Sequence, residues 1–419
     1  MSTTTQSKQD GSKSTHEFLS GKLAQVDITR IERELKLLWH SASESGSDDG
    51  SLAVTRACAM NLILYSERSD AEVQASAMLD EITVRHPCRA ILAICREASE
   101  PSIEAWVSAR CHLTGSKKDQ QICCEQITVR SQGQSTKELA SVVLPLLVSD
   151  LPVFMWLNSP GFKLEPLRPF LPSVDRLILD SDDFDDNITF FKELQMLIKE
   201  QGQARCEDRV IASDLNWNRS LSWREAVALS FEERNGKLAP QDLENIVGVE
   251  IKYGLDKAHA QSKTPRLGLI NQSLLVVSWL AGRLGWKFDS ARQMEGGLIE
   301  IEFTALGGKR PLLVKLTGIP WEHAGTGDIG SIAVEVGAPA SALLRATQPK
   351  GMPGIQVVCL KDGAALKTAS GSALELYEPL ESVIVDREFE MLAADPVFDE
   401  TVDLVVEILD CLYGASKNS

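Results

Sequence analysis

The chain has 419 residues, with 43 Lys and Arg against 59 Asp and Glu and a formal net charge of −16. This length predicts two domains, and 43% hydrophobic with 24% charged residues excludes a disordered chain. The acidic balance argues against a general nucleic-acid binder, which needs clustered Lys and Arg to release counterions, and leaves room for a basic partner.

Residues 1–17 are polar, without a basic region leading into an apolar core, so a mobile tail and a cytoplasmic location are expected. The apolar run from Leu144 to Leu157 is broken by Pro145, Ser149, Asp150 and Pro152, and that from Leu274 to Ala281 is short of the roughly 30 Å of a bilayer core. No membrane span is expected. Nine cysteines in so long a chain point to reduced thiols rather than a disulfide framework.

The first packed element is a helix with Ile28, Ile31, Leu35, Leu38 and Trp39 on one stripe, ended by the loop SASESGSDDGS from Ser41 to Ser51. Met60 to Tyr65 reads as a strand, and Ser69-x-x-Glu72 as a capping box opening a helix with Val73, Ala77 and Ile82 inward. Cys88 to Cys95 is a buried strand. Ile103 to His112 and Ile122 to Arg130 form a hairpin around GSKKDQ. A second capping box, Ser135-x-x-Glu138, opens a helix, and Pro152 to Leu157 and Arg176 to Leu179 are short central strands. Strands alternating with helices imply a mostly parallel α/β domain, placed at residues 18–205.

A third capping box, Ser222-x-x-Glu225, starts another helix, and a further one carries Leu274, Val277, Leu280 and Leu284 with Gly285 as its left-handed cap. The runs Leu298–Phe303, Leu312–Leu316, Ile329–Val336, Gln356–Leu360 and Leu374–Tyr377 suggest a mainly antiparallel sheet. Phe398, Val402, Val405, Leu409 and Leu412 mark a closing helix. Residues 206–419 are therefore expected to form an α+β domain.

The sequence holds no Gly-x4-Gly-Lys-Ser/Thr loop, no His-Glu-x-x-His, no Cys-x-x-Cys and no Gly-x-Ser-x-Gly. Gly325, Gly327 and Gly330 satisfy the dinucleotide spacing, but a strand-like SIAVEV follows where a helix is required, so a hairpin-type loop is expected. His86-Pro87-Cys88 fits a structural turn better than half of a metal site, since the remaining histidines are scattered. Cys123 and Cys124 are adjacent, point to opposite faces of a strand, and are expected to be independent thiols. Asp180-Ser-Asp-Asp-Phe-Asp-Asp186 reads as a solvated loop favouring the next helix start, with a divalent cation or basic partner as the alternative. Asp214, Asn216, Trp217, Arg219, Trp223 and Arg224 mix aromatic area with charge, as partner-binding hot spots do, while core packing of at least one Trp competes with that reading. No catalytic residue, metal ligand or cofactor emerges.

Six blocks are recognisable together: VDITRIERELKLLW (26–39), MLDEITVRHPCRAILAI (78–94), SVVLPLLVSDLPVFMWL (141–157), VDRLILDS (174–181), SDLNWNRSLSWREAVALSF (213–231) and SWLAGRLGW (278–286). In this order they resemble the glucose-6-phosphate dehydrogenase assembly protein family, OpcA, in its cyanobacterial type. The resemblance implies a non-catalytic effector that binds glucose-6-phosphate dehydrogenase, promotes its active oligomer and raises its activity in the oxidative pentose phosphate pathway. It also implies thiol redox control through thioredoxin. Cys206, in the polar run GQARCEDR, and Cys411, in the closing helix, are the redox candidates. A nucleotide- or sugar-phosphate-binding enzyme and a general scaffold protein are the competing classes.

Overall fold

The structure, a computed structural model, describes residues 17–21, 28–44, 53–114, 120–184, 186–203, 209–232, 238–256, 267–294, 297–305, 310–320, 325–349, 354–361, 364–365, 374–377, 381–391 and 393–416. The expected tail over 1–16 lies outside the described residues, whereas Glu17 already belongs to a strand. Contacts divide the chain into two units: the first holds the described residues of Met1–Pro160, Glu165–Ile178 and Asp208–Val210, the second those of Gly161–Leu164, Leu179–Glu207 and Ile211–Ser419.

The first unit is built on β1 (Glu17–Gly21), α1 (Ile28–Glu44), β2 (Ala53–Arg56), β3 (Met60–Ser66), α2 (Ala71–Arg85), β4 (Cys88–Arg96), β5 (Ser102–Thr114), β6 (Gln120–Gln132), α3 (Leu139–Val143), β7 (Val153–Asn158) and β8 (Arg176–Leu179). Its sheet runs β1-β5-β6-β4-β3-β7-β8, with β2 also on β6. Strands β6, β4, β3, β7 and β8 are mutually parallel. Numbered among themselves in chain order, these five run 3-2-1-4-5, the order of a doubly wound α/β sheet. The sequence dictates this placement: every residue of β3 and the first eight of β4 are buried, as strands covered on both faces must be. The hairpin β5–β6 pairs antiparallel from Ser102↔Gln132 to Thr114↔Gln120. Helix α1 turns Ile31 and Leu35 inward and runs three residues past the expected end at Ser41.

The second unit contains α4 (Asn187–Gly202), β9 (Ile211–Asp214), α5 (Leu215–Arg219), α6 (Leu221–Leu229), β10 (Ile246–Leu255), α7 (Asn271–Leu284), β11 (Lys287–Gln293), β12 (Leu298–Ala305), β13 (Arg310–Pro320), β14 (Ile329–Val336), β15 (Ala342–Thr347), β16 (Gly354–Lys361), β17 (Ala364–Ala365), β18 (Leu374–Tyr377), α8 (Glu381–Glu390) and α9 (Pro396–Ser416). Its sheet runs β11-β12-β13-β10-β14-β15-β16-β17, with β18 also on β16. Every pair is antiparallel except β10–β13. The protein is thus α/β, with a largely parallel sheet followed by a mainly antiparallel one. Leu267–Leu284 is apolar and long enough by composition to cross a membrane, but 67% of it is buried inside the protein. Gly285 closes α7 at φ 64°, where the Trp286 amide donates to the Ala281 carbonyl.

All three expected capping boxes sit beside true helices but do not cap them. Helix α2 starts after Asp70, α3 after Glu138 and α6 after Ser220, none with a side-chain cap. Ser222 lies inside α6, and the Ser220 hydroxyl instead donates to the Trp217 carbonyl at 2.8 Å, which joins α5 to α6 through one tight turn. The working caps are aspartates: Asp186 accepts from the Thr189 amide at α4, and Asp214 from the Asn216 amide at α5.

Candidate functional site

The six residues expected to meet a partner lie on β9, α5 and α6, and the structure puts them in the interior of the second unit. Asp214, Asn216 and Trp223 are fully buried, Trp217 and Arg224 nearly so, and only about a sixth of the Arg219 side chain is exposed. The expectation of an exposed hot spot is therefore corrected. Aromatic and charged residues alternate here because each charged group has an internal partner, not because the segment faces solvent.

Asp214 is the centre of one cluster. Its Oδ1 accepts from the Ser181 amide at 3.0 Å and the Asn216 amide at 3.1 Å, while Oδ2 is buried without a hydrogen-bond partner. Burial, reinforced by the neighbouring Asp180 charge, pushes its carboxyl up to about 7. Arg219 grips Asp180 through two nitrogens at 2.7 and 2.8 Å and also donates to Asn216 Oδ1 at 3.2 Å. The network continues inward: Asn216 donates to Ser181 Oγ at 2.9 Å and Asn271 to the Ser181 carbonyl at 2.9 Å. Asn187 donates to Asn271 Oδ1 at 2.8 Å and accepts from the Tyr413 hydroxyl at 2.9 Å.

Trp217 anchors the second cluster. Its indole N–H donates to Asp395 at 2.8 Å, and Asp395 in turn caps α9 through the Val397 amide at 3.0 Å. The Arg224 guanidinium lies 3.4 Å from the centre of the Trp217 ring and donates to the Trp217 carbonyl at 2.9 Å. Burial lowers the Arg224 pKa to about 10. Asn218 donates to the buried Glu388. Sequence reasoning missed Ser181, Asn187, Asn271, Glu388, Asp395 and Tyr413. The available signal was polar residues recurring on otherwise apolar helix faces.

In the first unit, ligands of a doubly wound sheet sit beyond the carboxyl ends of β3 and β7, where the strand order reverses. The residues at that position hold one another. Glu67 accepts from the Ser159 hydroxyl at 2.9 Å and the Tyr65 hydroxyl at 3.2 Å. Arg96, at the end of β4, clasps the carbonyls of Arg68 and Ser69 at 2.8 and 2.7 Å. A pyrophosphate needs free helix-start amides and a close backbone approach; this loop reads Glu67-Arg-Ser-Asp70, without glycine and with a carboxylate in place. These residues do not fit a dinucleotide. Gly325 and Gly327 form a turn into β14, where the Asp328 amide donates to the Gly325 carbonyl and Gly327 has φ 97°, but β10 lies between β13 and β14 in the sheet, so the expected hairpin-type loop is corrected to a connection between strands that are not neighbours.

The thiols differ from expectation. Cys111 and Cys123, directly opposite across β5 and β6, form a disulfide, so Cys123 is not an independent thiol. Two residues that face each other in an antiparallel pair bring their Cβ atoms within bridging distance, a relation invisible before the hairpin register is known. Cys124, Cys88 and Cys95 are buried, and burial raises each thiol pKa, to about 11 for Cys95. Cys206 lies outside the described residues. Cys411 is half-buried in α9 and donates to the Ala291 carbonyl at 3.4 Å. Among the described residues, no group of three or more His, Cys, Asp or Glu is arranged to hold a metal ion.

Two family models match: the glucose-6-phosphate dehydrogenase subunit N-terminal domain over residues 79–196 and its C-terminal domain over residues 211–402. The chain belongs to the OpcA glucose-6-phosphate dehydrogenase assembly family. An OxPP cycle protein OpcA from Synechocystis sp. is 25% identical over 366 residues, covering 83% of this chain and 70% of that one. The Synechococcus elongatus OpcA is 30% identical over 311 residues, covering 72% of this chain and 62% of that one. The matched region thus spans about two thirds of the length of these relatives. Among solved structures, Gal80p from Saccharomyces cerevisiae aligns over 85% of this chain and 97% of that one, with a TM-score of 0.45 and 10% identity. The WlbA dehydrogenase from Chromobacterium violaceum aligns over 86% and 94%, with a TM-score of 0.43 and 9% identity.

Proposed function

We propose that this protein is a non-catalytic subunit that binds glucose-6-phosphate dehydrogenase, favours its active oligomer and raises its activity in the oxidative pentose phosphate pathway. The observation that carries the reading is the match to both family domains, over residues 79–196 and 211–402. The loop beyond β3, which has no glycine and carries Glu67 where a pyrophosphate would lie, agrees with a protein that acts through contact. An effector can change the dehydrogenase only by binding one of its states better than another, and its effect is limited by that difference in affinity. The net charge of −16 favours encounter with a basic patch on the enzyme and predicts activation that weakens with salt.

The test is to mix the two purified proteins and to measure co-elution and the substrate saturation curve. A stable complex with a lowered KM or raised kcat is expected; no complex and unchanged kinetics would overturn the proposal.

Thiol control forms the finer part of the reading. Its best-supported site is Cys111–Cys123, because Cys111 is only half-buried and the bond ties two strands together. A dithiol reductant such as thioredoxin would supply two electrons and two protons, leaving two thiols here and a disulfide on the reductant. Cys411 and Cys206 remain the alternative sites. Activation assayed before and after reduction, in the native chain and in Cys111→Ser, separates them. Loss of redox response in Cys111→Ser is expected, and a response that survives moves the control to another thiol.

A further inference from the structure

Helix α1 carries charges spaced to cancel one another, yet they do not. In the run Arg30-Ile-Glu-Arg-Glu-Leu-Lys36, Arg30 and Glu34 stand four residues apart, as do Glu32 and Lys36, the spacing at which opposite charges pair along a helix. Folding withdraws both acids. Glu34 turns inward with Ile31, Leu35 and Leu38 and is 6% exposed, its Oε2 without a hydrogen-bond partner. Glu32 reaches Arg89, at the start of β4, at 3.0 Å. Arg30, Arg33 and Lys36 stay exposed, and none of them bonds or ion-pairs with another of the described residues.

Leu37 completes this outer face. Arg30, Arg33 and Leu37 follow one another at steps of three and four residues, with Lys36 beside them, so all four share one side of the helix. Leu37 is 55% exposed, and among the described residues no other leucine is left so open. Elsewhere in the unit arginines are engaged: Arg56 and Arg89 bind Glu125, Arg130 binds Glu72 and Glu104, and Arg96 clasps two carbonyls. The α1 cations have no such use inside the chain.

We infer that the outer face of α1 receives an acidic segment of the dehydrogenase, an inference that rests on the function proposed above. The sign of the face calls for this occupant: three cations around an exposed leucine are complemented by carboxylates around an apolar side chain. Contrast with the whole chain adds a role. A protein of charge −16 repels acidic groups in general, so an acidic segment that finds attraction on α1 fixes how the two proteins are turned towards each other. The extent of the face also favours a protein segment over a polyanion. From Arg30 to Leu37 the helix rises about 10 Å, roughly two turns. Three cations would neutralise only about three phosphates, against repulsion from the rest of the chain. The basic patch met through the net charge and the acidic segment held by α1 are then separate parts of one enzyme surface.

The test is binding of the purified full chain to the purified dehydrogenase by surface plasmon resonance over a range of salt, with two triple variants. Arg30→Gln/Arg33→Gln/Lys36→Gln removes the charge of the face and keeps good helix formers. Lys163→Gln/Lys287→Gln/Lys361→Gln makes the same change in net charge at exposed lysines of the second unit. The α1 variant should bind about tenfold more weakly, chiefly through slower association, with a flatter salt dependence, and the second variant should change by less than about twofold. Unchanged affinity in the α1 variant overturns the inference, and so does an equal loss in both, which would make net charge alone responsible. Hydrogen exchange over residues 28–39, with and without the dehydrogenase, needs no variant and decides the matter should the α1 variant fold poorly. Slowed exchange in the complex is expected, and unchanged exchange overturns the inference. A native chain that forms no complex overturns the proposed function and this inference with it, whereas a complex that tolerates the α1 variant overturns the inference alone. Binding of the native chain, but not of the α1 variant, to vesicles of equal phosphatidylserine and phosphatidylcholine would assign the face to a membrane and overturn it too.

Discussion

The two sheets solve the same problem in opposite ways. In the parallel sheet of the first unit, consecutive residues of β3 such as Leu62, Ile63 and Leu64 are all at most 2% exposed, because both faces are covered. In the antiparallel sheet of the second unit, Ile299, Ile301 and Phe303 of β12 are buried while Glu300 and Glu302 between them are not fully so. The difference teaches what an apolar pattern can reveal. A strand buried on two faces hides which side each residue faces, whereas a strand buried on one face states it at every second position.

Buried carboxylates extend the contrast and give the largest expected effect. Glu125 of β6, 3% exposed, accepts from Arg89 Nε at 2.7 Å, from Arg56 at 2.8 Å and from the Trp39 indole at 2.6 Å. Glu125→Ala would strand the Arg89 guanidinium, itself 6% exposed, without its main counter-charge. A loss of about 3–5 kcal/mol in unfolding free energy is expected, measurable by denaturant titration. Glu125→Gln, which keeps the shape but not the charge, should recover only part of it.

Adjacent alanine substitutions test the two-face and one-face patterns directly. Ile63→Ala and Leu64→Ala, neighbours on β3, should each cost about 2–5 kcal/mol. On β12, Ile301→Ala should cost a similar amount and Glu302→Ala no more than about 0.5 kcal/mol. Equal costs for both β12 neighbours would mean that both faces of β12 are covered within the chain.

Much of this contrast was legible in the sequence. CRAILAIC and MNLILY announce central strands through unbroken apolar residues, and LIEIEF announces a half-buried one through alternation. The Gly285 cap followed from its position after the last apolar helical residue. What stayed hidden depends on partners distant in the chain. Trp217 and Arg224 look like surface residues until Asp395, 178 positions from Trp217, takes the indole proton donor. The Cys111–Cys123 bond needs the hairpin register. The capping boxes failed because a Ser-x-x-Glu spacing records local opportunity, and at α6 the preceding turn used Ser220 otherwise.

Asp214 contrasts with Glu125 in having amide donors but no cation of its own, and a smaller, pH-dependent effect follows. Its folded pKa of about 7 lies above the unfolded 3.8, so between these values the native state holds a proton that the unfolded state has released. Stability contributed by this group therefore falls as pH rises from about 4 to 7 and is level above that. The full displacement corresponds to at most about 4 kcal/mol, and on the order of 2 kcal/mol after local relaxation. Asp214→Asn, whose side-chain oxygen can still accept from Ser181 and Asn216, should be more stable than the native chain at pH 8 by that amount. The difference should vanish near pH 4. A variant with the same pH slope as the native protein would show that Asp214 stays ionised.

The smallest effects separate two glycines, one in each unit, that share a left-handed backbone but not its surroundings. Gly285, at φ 64°, has nothing within 4 Å of where a Cβ would stand, so Gly285→Ala should cost only the conformational term, about 1 kcal/mol. Gly133, at φ 59°, would bring its Cβ to 2.8 Å from the Ala98 carbonyl oxygen and 3.2 Å from that of Glu100, both backbone atoms that cannot rotate away. Gly133→Ala must therefore add a shift of the segment after β4 to the same conformational cost. Asn tolerates the left-handed region better than Ala, so Gly285→Asn should recover part of the loss, while Gly133→Asn meets the same two carbonyls and should recover none. Thermal melts of the four variants distinguish these cases, because at Gly285 the backbone angle alone sets the outcome and at Gly133 the close approach of a neighbouring chain segment does.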